Sequence, residues 1–153
     1  MLEKEALNLV LQDIPESIIE TMFCFAFLNL RFRWKQILVI AILLSLTNMV
    51  ELLPLATGVR IIILLIGFVA YLKVFTRKEL SKILLAVFVT FFLAAAGDSV
   101  WSPFLLRVTG ISYSYAYSTP YLRALFSYPT LLTILIVTYF LYRYKKKKLI
   151  KFE

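Results

Sequence analysis

The sequence predicts an all-α polytopic membrane protein, a bundle of five transmembrane helices with the N-terminus outside and the C-terminus cytoplasmic. Three observations lead there. Hydrophobic residues make up 61% of the 153 and charged residues only 17%, where a soluble domain carries about a quarter charged. Four apolar runs, and a fifth with acids in its first half, each approach the ~20 residues that cross ~30 Å of hydrocarbon as a helix. Lysine and arginine then gather at alternate ends of these runs, the pattern that sets orientation in a bilayer.

The stretch MLEKEALNLVLQ begins with acids and lacks the basic flank and small-residue cleavage site of a secretory signal, so it reads as retained. The first span, residues 14–30, starts on IPESIIE and turns strongly apolar through MFCFAFL. Asp13, Pro15 and Glu16 have the spacing of a D-x-x-E capping box with proline in the first turn, which predicts a helix start at Asp13. The second span covers 36–53, the third 59–75, the fourth 83–106 and the fifth 125–142, and a basic cytoplasmic tail occupies 143–153. These form a single domain without an evident internal repeat. The tail YRYKKKKLIKFE reads as a stop at the cytoplasmic face and a contact for anionic lipid. A docking segment for a partner is the other reading of it.

Orientation follows from the basic residues. Arg31, Arg33 and Lys35 follow the first span, Lys73, Arg77, Lys78 and Lys82 join the third to the fourth, and Arg143, Lys145 to Lys148 and Lys151 follow the fifth. The opposite side holds only Lys4, Arg60, Arg107 and Arg123 of the 17 Lys and Arg residues. This split puts the tail inside and the N-terminus outside, in a multi-pass protein of the cell membrane.

Composition also excludes functions. The net charge of +8 lies beside apolar segments, and no basic, aromatic-interleaved soluble module is present, so nucleic acid is not an expected partner. With no histidine and one cysteine, Cys24, the chain lacks Ser-His and Cys-His pairs, a phosphoacceptor histidine and a cysteine-based zinc site. No glycine-rich phosphate loop follows a strand. No metal, no cofactor and no catalytic residue are expected, and the chain is read as not an enzyme.

The candidate site is polar and lies on the outer side. Glu16 and Glu20 are four apart and share a helical face, and Glu20 lies a full turn inside the span, where an acid is costly unless it faces protein or water. Asn48 and Glu51 fall at similar depth on the second span, Arg60 begins the third, Asp98 lies in AAAGDSVW of the fourth, and Arg107 and Arg123 flank the last outer connection. By depth alone these residues converge, as a ligand-binding pocket or as ion pairs that stitch the bundle. The small residues of AAAG let helices approach closely. In the outer connection, Tyr113, Tyr115, Tyr117 and Tyr121 suit an aromatic belt at the interface or a lid over the pocket. The alternation in SYSYAY predicts an extended piece and YLRALF a short interfacial helix.

The run from Ile14 to Ile66 has an I-P-E start to its first helix, a basic-aromatic RFRWK turn, an LLP end to its second helix and a Gly-x-basic start to its third, Gly58 to Arg60. In these features it resembles the N-terminal membrane sensor region of Gram-positive, clostridia-like sensor histidine kinases of the accessory-gene-regulator type. The resemblance implies a receptor for an extracellular or membrane-borne signal, often a peptide, that passes a helix movement to a cytoplasmic kinase. The kinase domain of that family is lacking here, so a sensor of this kind would act through a separate membrane or cytoplasmic signalling partner, or as a homodimer. The expected function is thus a membrane-embedded signal-sensing or regulatory subunit with an outward-facing polar pocket. The alternatives are a small transporter or transporter subunit binding a cation, proton or cationic substrate, and an intramembrane hydrolase, which needs two acids a few ångströms apart to share a proton.

Overall fold

The computed structural model describes residues 2–150, with side chains through residue 147, and every element among those residues is helical. The order is α1 (Leu2–Asn8), a π-helical turn (Leu9–Asp13), α2 (Ile14–Phe27), α3 (Trp34–Asn48), a 3-10 turn (Met49–Leu52), α4 (Thr57–Thr76), α5 (Leu80–Thr109), α6 (Tyr113–Ser118) and α7 (Pro120–Ile150). The expected basic tail is helical to Ile150, and residues 151–153 lie outside the described residues.

Four segments are long and apolar enough to cross a membrane: Trp34–Leu52, Thr57–Thr76, Leu80–Thr109 and Pro120–Lys147. They cover the second to fifth expected spans, the second ending one residue earlier than expected. α2 has only 14 residues, about 21 Å of helix, and reaches further only through the π-helical turn and α1 that lead into it.

α2 begins at Ile14, directly after Asp13 as the spacing predicts, but the expected capping box is not made. Asp13 has helical φ −64° and ψ −41° and makes no side-chain cap hydrogen bond, because the chain is already helical before it. Pro15 explains the local irregularity. It has no N–H for the carbonyl of Leu11 four residues back, and its ring needs room, which the wider π turn provides. The Leu11 carbonyl instead accepts a hydrogen bond from Tyr128 of α7 at 3.0 Å.

At the other end of α2, the Lys145 ammonium donates to the Phe27 carbonyl and lies 5.0 Å from the centre of the Phe27 ring. From Leu11–Tyr128 to Phe27–Lys145, α2 and α7 therefore run side by side in the same direction for about 25 Å. α2 is also the most enclosed helix. Ser17, Glu20, Thr21, Phe23, Cys24, Phe25 and Ala26, half of its residues, are buried. Its second half joins α3, α4 and α5 in the apolar core, where Cys24, Phe25 and Leu28 meet Ile37, Ile40, Phe68, Leu72, Ile83 and Val87. α4, by contrast, buries only Phe68 and Leu72.

The small residues of α5 act as expected at Gly97. A Cβ there would stand 2.6 Å from Thr130 Cγ2 of α7, so the absence of a side chain permits this approach of the two helices. The expected extended conformation of SYSYAY is replaced by α6, a single helical turn and a half that starts at Ser112, whose hydroxyl accepts from Tyr115 N–H at 3.4 Å. Helical spacing brings Tyr113 and Tyr117 together, ring centres 4.4 Å apart, and turns Tyr115 away. YLRALF is the beginning of α7, not a separate interfacial helix.

Candidate functional site

The site is built on a polar stripe along one face of α1, the π-helical turn and α2. Glu5, Asn8, Gln12, Glu16 and Glu20 are spaced by three or four residues, the interval that stacks side chains along a helix. Glu20 is the deepest acid and only 6% exposed. The carboxylates of Glu16, Asp98 and Asp13 lie within electrostatic range of it. Asp98 comes from α5, held by Thr130 Oγ1, which donates to its Oδ1 at 2.8 Å. The contact at Gly97 is what sets Thr130 beside it.

Above Glu20 the stripe meets a cavity of about 310 Å³. Glu5, Asn8, Asp13, Asn48, Glu51 and Arg123 contribute polar lining, and Leu2, Leu9 and Leu52 some of the apolar wall. Arg123 donates to Glu51 Oε2 at 3.4 Å. Burial, then the charge of Glu51, pushes the Asp13 carboxyl up to about 6, against the pull of Arg123. Asn8 Oδ1 and Gln12 Oε1 are buried acceptors without a hydrogen-bond partner among the described residues.

Among the described residues the ion pairs are Glu51–Arg123 and the exposed Lys82–Glu79. Of the expected stitching pairs, one thus joins two helical segments across the bundle. Glu16 and Glu20 have no such partner, and the acids Glu5, Asp13, Glu16, Glu20, Glu51 and Asp98 outnumber the single guanidinium of Arg123.

Each expected residue has a definite place. Glu16, Glu20 and Asp98 come together, and Asn48, Glu51 and Arg123 line the cavity above them. Arg60 does not join them: its Nη2 donates to the Leu53 carbonyl at 3.0 Å, closing the turn before α4. Arg107 is exposed near the end of α5. Tyr113, Tyr115, Tyr117 and Tyr121 are absent from the cavity wall, and Tyr117 shares a hydrogen bond with Ser102 at 3.1 Å. Glu5, Asn8, Gln12, Asp13, Thr130 and Tyr128 belong to the site region beyond the expected residues. The helical spacing from Glu5 to Glu20 is the signal that finds the first three.

Above Glu20, Ser45 Oγ lies 3.1 Å from Ser17 Oγ and from the Asp13 carbonyl, binding α3 to α2. Below Glu20 the polar groups thin out. Cys24 Sγ lies 3.2 Å from Thr90 Oγ1, and beyond that contact the phenylalanine and aliphatic core closes the middle of the α2, α3, α4 and α5 bundle.

Comparison with known proteins finds no matching family model, no matching curated protein and no matching solved structure.

Proposed function

We propose that the chain is a five-span membrane subunit, N-terminus outside, whose outer pocket binds a ligand through a positively charged group and signals that occupancy to a separate partner. The first span in this reading is residues 14–30, built on α2. Its parallel course beside α7 for about 25 Å, and the burial of half its residues, support placing it in the same layer as the four apolar helices.

The observation that carries the binding role is Glu20: an acid 6% exposed, without an ion-pair partner among the described residues, and with three further carboxylates within electrostatic range. Burying a carboxylate in this way is expensive unless a cation or proton compensates it. A cationic ligand group compensates several acids at once, and the cavity walled by Asp13 and Glu51 lies about 10 Å up the helix from Glu20. The packed core below Cys24 and Thr90 supports binding over translocation. A non-catalytic role fits a chain without histidine. The partner and the sensing role are carried by the resemblance of Ile14 to Ile66 to sensor regions.

The test is the thermal response of the purified chain to ethylammonium and arginine amide. Both probes should raise the unfolding midpoint of the wild type. Glu20→Gln removes the charge at constant size and should weaken the response about 10- to 100-fold, the scale of a charged hydrogen bond. Glu79→Gln, at the far end of the bundle, should leave it unchanged. If Glu20→Leu preserves both assembly and response, the acid faces an inert gap and the pocket reading is wrong.

A further inference from the structure

The outer surface of the bundle carries a second feature, remote from the acids. α4 and the first half of α5 enclose an apolar groove of about 500 Å³. Ile62, Ile66 and Ala70 line it from α4 and Leu84 and Phe88 from α5, with Lys73 the one charged residue in its wall. Because α4 buries only Phe68 and Leu72, the groove lies on the outside of the bundle, where the protein meets the bilayer.

Two properties of the groove identify its occupant. From Ile62 to Lys73 it follows about 16 Å of helix, half of the ~30 Å hydrocarbon layer. That is the depth of one leaflet, and so of one acyl chain, whereas a transmembrane helix of another subunit would run the full thickness. The charge lies at one end only. Lys73 Nζ donates to the Lys78 carbonyl at 2.7 Å, which fixes the ammonium at the lip of the groove and leaves two of its three N–H donors free to point elsewhere.

Arg77 stands in the same turn with φ +54°, a left-handed conformation that ordinarily selects glycine or asparagine at a helix end. A basic residue occupies it here, exposed, at headgroup depth. Lys82 is already paired with Glu79 at 3.4 Å and Lys78 lines a separate opening with Phe27 and Asn29, whereas Lys73 borders the groove and neither it nor Arg77 has an acidic partner among the described residues.

We infer that this groove is a binding site for an anionic phospholipid, one acyl chain lying along α4 and α5 and the phosphate held by Lys73 and Arg77. The site is on the basic side of the bundle, the side on which anionic headgroups and basic residues attract one another.

Native mass spectrometry of the purified full-length chain tests it, with phosphatidylglycerol and phosphatidylcholine of identical acyl chains as the probes. Wild type should retain phosphatidylglycerol preferentially, by roughly fivefold for each basic contact. Lys73→Gln should lose about one such factor, and Lys73→Arg should keep it, which separates charge from a mere change in the turn. Ala70→Phe, filling the groove, should lower retention of both lipids. Equal retention of the two lipids by the wild type, or retention unchanged in Ala70→Phe, overturns the inference. A lipid-free wild-type dimer that Ala70→Phe dissociates would also overturn it, by assigning the groove to a second copy of the chain.

Discussion

Replacing Gly97 by alanine tests the contact that sets Asp98 in the site. A bare helix gains about 1 kcal/mol when glycine becomes alanine, so a roomy or lipid-facing position would be stabilised. At Gly97 the new Cβ would meet Thr130 Cγ2 at 2.6 Å and Thr130 Cβ and Oγ1 at 3.3 Å. Forcing the helices apart costs about 1–3 kcal/mol in overpacking. Rotating Thr130 to move its methyl away gives up the 2.8 Å bond to Asp98, a hydrogen bond to a charged group worth about 1.5–3 kcal/mol. On either route the propensity gain is offset, and a net loss of up to about 2 kcal/mol is expected, seen as a fall of up to several degrees in the unfolding midpoint in detergent. Thr130→Ser removes the offending methyl and keeps the hydroxyl. The double variant should therefore regain most of the loss, with a coupling of about 1 kcal/mol in the mutant cycle. A Gly97→Ala protein as stable as wild type, or one that Thr130→Ser does not rescue, would refute the packing argument.

What the sequence discloses here is what depends on one dimension. Helix length and apolarity are local sums, so α3, α4, α5 and α7 fall where the apolar runs lie. Glu16 and Glu20 are legible because an interval of four residues fixes a shared face. Depth in the membrane is also one-dimensional, but position around the bundle axis is not. Arg60 and Arg107 have the right depth for the acids; the turn at Leu53 takes the Arg60 guanidinium, and Arg107 lies exposed. The D-x-x-E box at Asp13 is not made because such a box caps a helix only if the preceding residues are not helical. The longer polar period through Glu5, Asn8 and Gln12 is the stronger signal, since it implies that the helix began at least about two turns earlier. Six residues of strict alternation in SYSYAY are too few to outweigh a serine cap. The Leu11–Tyr128 bond could be half foreseen: Pro15 announces a carbonyl without its helical donor, while the identity of the new donor is a tertiary fact.

Two further predictions concern orientation and pH. In a Cys24→Ala background, Ser118→Cys should react with an impermeant maleimide from outside and Ser81→Cys only after permeabilisation, both positions being exposed; the reverse pattern would invert the proposed topology. The second follows from Asp13, whose carboxyl is pushed from 3.8 up to about 6, first by burial and next by Glu51. A raised folded-state value means that the protonated acid favours the fold. Its stabilising contribution is therefore complete below pH 3.8 and disappears as pH rises through about 6. Asp13→Asn keeps the shape of the protonated acid at every pH, so above pH 6 it should unfold at a higher temperature than wild type, and the difference should close as the pH is lowered to 4. A difference that does not vary between pH 4 and 7 would mean that Asp13 is solvated like an ordinary surface acid. The cavity wall formed by Asp13, Glu51 and Arg123 would then not be the confined acidic environment on which ligand binding is argued.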